Sequence, residues 1–64
     1  MHLFLVVPSN LHAPMVWVNT PRRATHFATS ADAYELMTGV PSATGVMGSL
    51  HGPTQWVIYK FVKD

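Results

Sequence analysis

The sequence predicts a small α+β domain with an antiparallel sheet of three to four strands and one short helix. Runs of Val, Phe, Trp and other apolar residues recur between turn residues, and a single segment has apolar residues at helical spacing. With 64 residues the chain has room for one small domain, which we take to span residues 1–64. The expected order is strand, strand, an optional further strand, helix and strand.

The first strands are marked by the residues that close them. His2 to Val7 is an apolar run that ends at a Pro-Ser-Asn turn, and Met15 to Asn19 is a second run, rich in β-branched and aromatic residues. Thr20-Pro21 favours a turn after the second run, because proline suits the second position of a type I turn. The segment from Arg22 to Ala28 is therefore expected to return as a third strand.

The helix is predicted over Thr29 to Thr38. Thr29 supplies a hydroxyl and Asp32 a carboxylate three residues later, as in a capping box, and a carboxylate also suits the first turn of a helix. The apolar residues at positions i, i+3, i+4 and i+7 form one stripe: Ala33, Leu36, Met37 and Val40. Gly39 and Pro41 are expected to end the helix.

Residues 39–53 are expected to form a Gly- and Pro-rich loop between the helix and the last strand. All four glycines of the chain lie in this stretch. Three of its apolar residues are expected to pack against the domain and are candidates for a functional loop: Val46, Met47 and Leu50. Gln55 to Val62, which follows, is the strongest strand signal in the chain.

The predicted strands are apolar on both faces, whereas a half-buried strand alternates apolar and polar residues. Lys60 is the only charged residue within positions 2–7, 15–19 and 55–62. Such strands lie in sheets that are covered on both sides, and one short helix covers one side at most. The sequence therefore predicts an interaction surface on the sheet. The alternative is that the Trp and Tyr side chains edge a tightly wrapped core.

Composition excludes several classes of protein. Cysteine is absent, which excludes a disulfide scaffold, a zinc ribbon and thiol chemistry. No apolar run approaches the roughly 20 residues of a transmembrane helix, and the N-terminus lacks the basic residues of a signal peptide. We therefore expect a cytoplasmic protein. Charged residues make up 11% of the chain, less than half the roughly 25% that is usual in soluble domains.

Neither catalysis nor metal binding is predicted. The four histidines, at positions 2, 12, 26 and 51, match the spacing of no compact metal site, and no serine lies in a nucleophile-elbow motif. The glycines lack the lysine and the helix that follow a phosphate-binding loop, and turn geometry explains them. We expect no enzyme activity, no cofactor and no bound metal.

The only dibasic site of the chain, Arg22-Arg23, supports two functional hypotheses. Arginine and aromatic residues are over-represented in protein interfaces, so the first hypothesis is a non-enzymatic protein-binding module. Its candidate partner-binding residues are Trp17, Arg22, Arg23, Trp56, Ile58 and Tyr59. The alternative is a small single-stranded nucleic-acid-binding protein, in which arginines contact phosphates and aromatic rings stack on bases.

The expected partner is a protein, either a second copy in a homodimer or a larger macromolecule. Many small accessory proteins of phages and mobile elements have this size and plan, and they often bind and inhibit a host enzyme. This analogy predicts an inhibitor, and it rests on size and architecture alone. Nucleic acid is the less favoured partner, and no membrane interaction is expected.

Overall fold

The computed structural model describes residues 1–10, 12–48 and 55–63, which form one antiparallel four-stranded sheet and one short α-helix. This confirms the predicted α+β class. The elements in chain order are β1 (His2–Val6), β2 (Val16–Val18), the 3-10 helix η1 (Pro21–Arg23), α1 (Ser30–Met37), β3 (Gly45–Gly48) and β4 (Trp56–Phe61). The strand order across the sheet is β2-β1-β4-β3, and all neighbouring strands are antiparallel.

The two longest strands, β1 and β4, lie in the centre of the sheet, where Phe4 pairs with Tyr59. Central strands bury both faces most completely, which suits their composition. Leu5, Val57 and Ile58 are the largest side chains that are fully buried. Leu5 and Ile58 belong to one buried cluster and Val57 to another, so the sheet has packed side chains on both faces.

Helix α1 begins as the sequence predicts. The Oγ1 atom of Thr29, the N-cap, accepts a hydrogen bond of 3.1 Å from the backbone N–H of Asp32. At the other end Thr38 is the C-cap, one residue before the predicted Gly39. The apolar stripe predicted from the sequence packs against the cluster of Leu5 and Ile58, and we call that side of the sheet the helix face.

The N-cap provides a test of the helix. Thr29→Ala removes the acceptor for the Asp32 N–H, and we expect it to lower the free energy of unfolding by about 1 kcal/mol and the melting temperature by about 4–8 °C. Circular dichroism during heating measures the change. Ser42→Ala, at an exposed turn position, is the control. Equal melting temperatures for the two variants would show that the cap does not stabilise the helix.

The prediction of a strand over Arg22–Ala28 is wrong. Pro21–Arg23 is a 3-10 helix, because proline at its first position has no N–H to lose and the Thr20 Oγ1 caps the turn, accepting from the Arg22 N–H at 3.4 Å. Only Phe27 pairs with a strand, in a single bridge to Trp56 with hydrogen bonds of 2.8 and 2.9 Å.

The segment after η1 passes between β1 and β4. The N–H of Thr25 donates to the carbonyl of Leu5 at 3.0 Å, and its Oγ1 accepts from the N–H of Val7 at 2.8 Å. Thr25 thus satisfies the backbone groups at the end of β1, where the pairing between β1 and β4 has stopped. Ala24 packs on one face of the sheet and Phe27 on the other. The segment that connects η1 to α1 therefore crosses from one face of the sheet to the other between these two residues.

The stretch predicted as a loop contains a strand, β3, which the sequence pattern does not predict. Gly45–Gly48 pairs with β4, with Val46 opposite Ile58 and Met47 opposite Val57. Glycine disfavours strands, which is why the sequence pattern predicts a loop, but pairing with a central strand compensates for the weak local preference. Leu50 and the rest of residues 49–54 lie outside the described residues.

Candidate binding face of the sheet

The side of the sheet opposite α1 carries aromatic residues from both central strands, and we call it the aromatic face. Successive residues of a strand point to opposite faces, so residues 57, 59 and 61 of β4 share this face while Ile58 lies on the helix face. The strand register brings the corresponding residues of β1, β2 and β3 to the same side. Its aromatic members are His2, Phe4, Tyr59 and Phe61.

The centre of the aromatic face is covered by the chain itself. Phe4 is 8% exposed and Val57 is fully buried, and Ala24 from the crossing segment packs in the same cluster. Val18, Met47 and Tyr59 pack around this cluster and remain half-buried. The segment that begins with η1 therefore closes the middle of the face and leaves its ends to solvent.

Large apolar side chains are exposed at both ends of the aromatic face. Phe61 is 56% exposed at the end of β4, and Val16 is 49% exposed at the start of β2. His2, which is also exposed, pairs with Phe61 across the strands. Exposed apolar residues scattered singly are ordinary in proteins, but these lie on one face around a buried cluster, an arrangement typical of an interaction site.

His2, Tyr59 and Phe61 form a ring cluster at one end of this face. The centroid of the His2 ring lies 5.4 Å from that of Tyr59 and 5.2 Å from that of Phe61, with interplanar angles of 56° and 70°. These distances and tilts are those that aromatic pairs prefer. The register of β1 against β4 therefore fixes three rings side by side.

Glycine at position 45 makes room for the ring of Tyr59, its partner across the strands. A Cβ atom at Gly45 would lie 3.0 Å from both Cε1 and Oη of Tyr59. The ring thus lies against the backbone of β3. The close approach of this side chain favours glycine at position 45, which is one of the roles of glycine within a strand.

We expect Gly45→Ala to move the Tyr59 ring, because the new methyl group would overlap the ring edge. Nuclear Overhauser contacts between the rings of Tyr59 and His2 are expected to weaken. Gly48→Ala is the matched control, since its Cβ would meet only Trp56, at an ordinary contact distance of 3.8 Å. Unchanged Tyr59 ring signals in Gly45→Ala would contradict this description of the ring cluster.

Four of the residues predicted to form a site lie on the helix face: Trp17, Val46, Trp56 and Ile58. Ile58 is fully buried, so its side chain belongs to the core and is out of reach of a partner in this structure. Trp17 is half-buried, and the Nζ of Lys60 lies 4.5 Å from its ring centroid, within cation–π distance. The two tryptophans and Val46 pack around the core that α1 covers.

The other predicted residues that the structure describes lie toward the aromatic face. Met47 and Tyr59 belong to its cluster, and Arg22 and Arg23 are exposed on η1, directly before Ala24 of the same cluster. The structure thus brings the dibasic site and Tyr59 to one side of the sheet and separates them from both tryptophans. Of the predicted loop residues, Leu50 lies outside the described part of the chain.

His2, Val16 and Phe61 are exposed on the aromatic face and are not among the predicted site residues. Strand alternation places Phe61 with Tyr59, so part of the signal is present in the sequence. Alternation does not tell which of the two apolar faces the helix covers. Since Trp56 and Ile58 are as apolar as Tyr59 and Phe61, the sequence pattern favours neither face.

The dibasic site and the two described carboxylates lie on opposite sides of the sheet, whereas Lys60 lies on the helix face beside Trp17. Asp32 and Glu35 are exposed on α1, which packs on the helix face, whereas Arg22 and Arg23 project from η1 on the other side. The third acidic residue of the chain, Asp64, lies outside the described residues. Within the described residues, the aromatic face thus has basic neighbours and carries no carboxylate.

The described residues form no pocket and bring no three of His, Asp and Glu together as metal ligands. None of the helices in this part of the chain is long and apolar enough to cross a membrane. The chain matches no protein-family model, no curated protein and no solved structure.

Proposed function

We propose that this chain is a non-enzymatic protein-binding module and that the aromatic face is its interface. The observation that carries the proposal is the exposure of Phe61 and Val16 on a sheet face whose centre is a buried apolar cluster. Covering apolar surface stabilises a complex by about 25 cal/mol per Å² before the costs of association. A binding partner that covers this face therefore gains the burial of both side chains.

The shape and the residue types of the face favour a protein as the partner. Small-molecule sites are concave, whereas the aromatic face is the side of a sheet. Aromatic residues, methionine and arginine are enriched at protein interfaces, and Phe61, Tyr59, Met47 and Arg22 are of these types. We further propose, by analogy of size and architecture, that binding inhibits a larger macromolecule, as with accessory proteins of phages and mobile elements.

Affinity capture tests the proposal. The immobilised chain is used to capture proteins from a lysate of its native cell, or of the host if the source is a virus, with identification by mass spectrometry. Val16→Lys places a charge on the aromatic face, and we expect it to lose the captured protein. Ala31→Lys adds the same charge at an exposed position of α1 and is expected to retain it. Retention by both variants would place the interface elsewhere.

We also propose that two copies of the chain cover their aromatic faces against each other when no other partner is present. The expected mass in sedimentation equilibrium then rises from 7.1 kDa toward twice that value as concentration increases from micromolar to millimolar. A mass that stays near 7.1 kDa across this range would exclude the homodimer and leave a different protein as the partner.

Single-stranded nucleic acid is the second candidate partner, because Arg22 and Arg23 lie on the same side of the sheet as the ring cluster. Stacking rings beside positive charge are the features of single-strand binding sites. Titration with a labelled oligonucleotide at increasing salt distinguishes the two candidates. Binding to nucleic acid weakens steeply with salt, whereas binding through an apolar protein interface responds little.

A further inference from the structure

We infer that the partner of the aromatic face presents an acidic segment that carries a large apolar side chain. The inference rests on the proposed function and adds the chemistry of the partner. It follows from two observations on the same side of the sheet: the exposed ring cluster and the exposed arginines of η1.

The arginines select for negative charge. Arg22 and Arg23 are exposed, and the carboxylates of Asp32 and Glu35 are held away from them on the helix side of the sheet. Complementary potentials across an interface guide association and determine which partners are accepted. A guanidinium group binds a carboxylate through two parallel hydrogen bonds, a geometry that favours Asp and Glu side chains of the partner.

The ring cluster selects for an apolar side chain beside that charge. Phe61 and His2 are exposed at one end of the aromatic face, and the third ring, Tyr59, packs against the buried cluster that contains Ala24, the residue after η1. An apolar residue of the partner can therefore rest on the rings while carboxylates near it reach the arginines. Aromatic and arginine side chains are the residues that most often dominate binding energy.

A second copy of the chain complements this surface less well than an acidic segment does. In a two-fold contact the same patch lies on both copies, so the arginines of both copies would lie at the rim of the interface. Asp32 and Glu35 lie on α1, on the other side of the sheet, and would not face these arginines. An acidic segment is therefore expected to displace the homodimer. Nucleic acid is also less suited, because two arginines neutralise few phosphates.

A random peptide display library, selected against the immobilised full chain, tests this inference. We expect the enriched peptides to have net negative charge and at least one aromatic residue, leucine or methionine. The selected peptides are then resynthesised, and their binding is measured by fluorescence anisotropy. Arg22→Gln/Arg23→Gln is expected to weaken binding by about tenfold.

The matched control is Ala31→Glu/Tyr34→Glu, which changes the net charge by the same amount at exposed positions of α1 and should leave binding unchanged. Circular dichroism verifies that both double variants remain folded. Enrichment of neutral or basic peptides that require Phe61 would overturn the acidic partner and leave the proposed function intact. If the chain enriches peptides no better than the Phe61→Ser variant does, both the acidic partner and the proposed function are contradicted. If a labelled oligothymidine binds more tightly than any selected peptide, the partner is nucleic acid and not a protein.

Discussion

The substitution Ile58→Ala is expected to lower the free energy of unfolding by about 3 kcal/mol and the melting temperature by roughly 12–24 °C. Ile58 is fully buried between the central strand β4 and helix α1, in one cluster with Leu5 and Ala33. Removing its outer atoms loses their burial and leaves a cavity that the surrounding side chains fill only in part. A domain of this size has a total stability of about 3–5 kcal/mol, so the variant is expected to be largely unfolded at physiological temperature.

Urea titration measures this loss, with Val16→Ala as the control. Val16 is also an apolar residue of the sheet, but it is 49% exposed, and the change is expected to alter the free energy of unfolding by less than about 0.5 kcal/mol. If both substitutions lowered the free energy of unfolding by similar amounts, the main core would not lie between β4 and α1.

The second large effect is expected on binding. Phe61→Ser removes the most exposed large apolar side chain of the aromatic face, and we expect self-association to weaken by about tenfold to a hundredfold. This range corresponds to the burial of about one phenylalanine side chain in total, because each of the two copies contributes a Phe61 that is 56% exposed. Because Phe61 is largely exposed in the single chain, the variant should lose less than about 1 kcal/mol of folding stability, mainly from its ring contact with His2.

Tyr34→Ser is the matched control for this prediction. Tyr34 is 49% exposed and aromatic like Phe61, but it lies on α1, on the other side of the sheet. Sedimentation equilibrium of the two variants compares the two sides directly. If Tyr34→Ser weakened self-association as much as Phe61→Ser did, the interface would include the helix side and the aromatic face would not be the main contact.

Local signals predict much of this fold. The hydroxyl of Thr29 followed by Asp32 predicts the helix start, and the helix begins there. The apolar runs predict β1, β2 and β4, and each of these strands lies within one of the runs. These elements follow from short-range patterns, which depend on neighbouring residues and not on the rest of the chain.

The remaining features depend on long-range contacts. Thr25 lies between β1 and β4 because Leu5 and Val7 have backbone groups to satisfy, and these residues are 20 and 18 positions away in the sequence. Likewise, Gly45–Gly48 forms a strand because it pairs with β4, although its glycines favour a loop. Local patterns contain no information about such pairings.

The candidate site was predictable in part, for the same reason. Two apolar faces on the sheet indicate an interaction surface, and the dibasic site and Tyr59 do lie toward one side. Choosing between the faces requires knowing where α1 packs, which places Ile58 under the helix and both tryptophans on the same face of the sheet. The exposure of Phe61 and His2 follows from that placement.

Chemical-shift mapping of the backbone amides, recorded as the concentration of the chain rises from micromolar to millimolar, most directly tests whether the aromatic face is the binding surface. We expect the shifts to concentrate at residues of this face, such as His2, Val18 and Phe61, while Asp32 and Glu35 on α1 stay unchanged. The same pattern is expected when a captured partner or a selected acidic peptide is added at low concentration. Shifts centred on α1, with the aromatic face unaffected, would contradict the proposed interface.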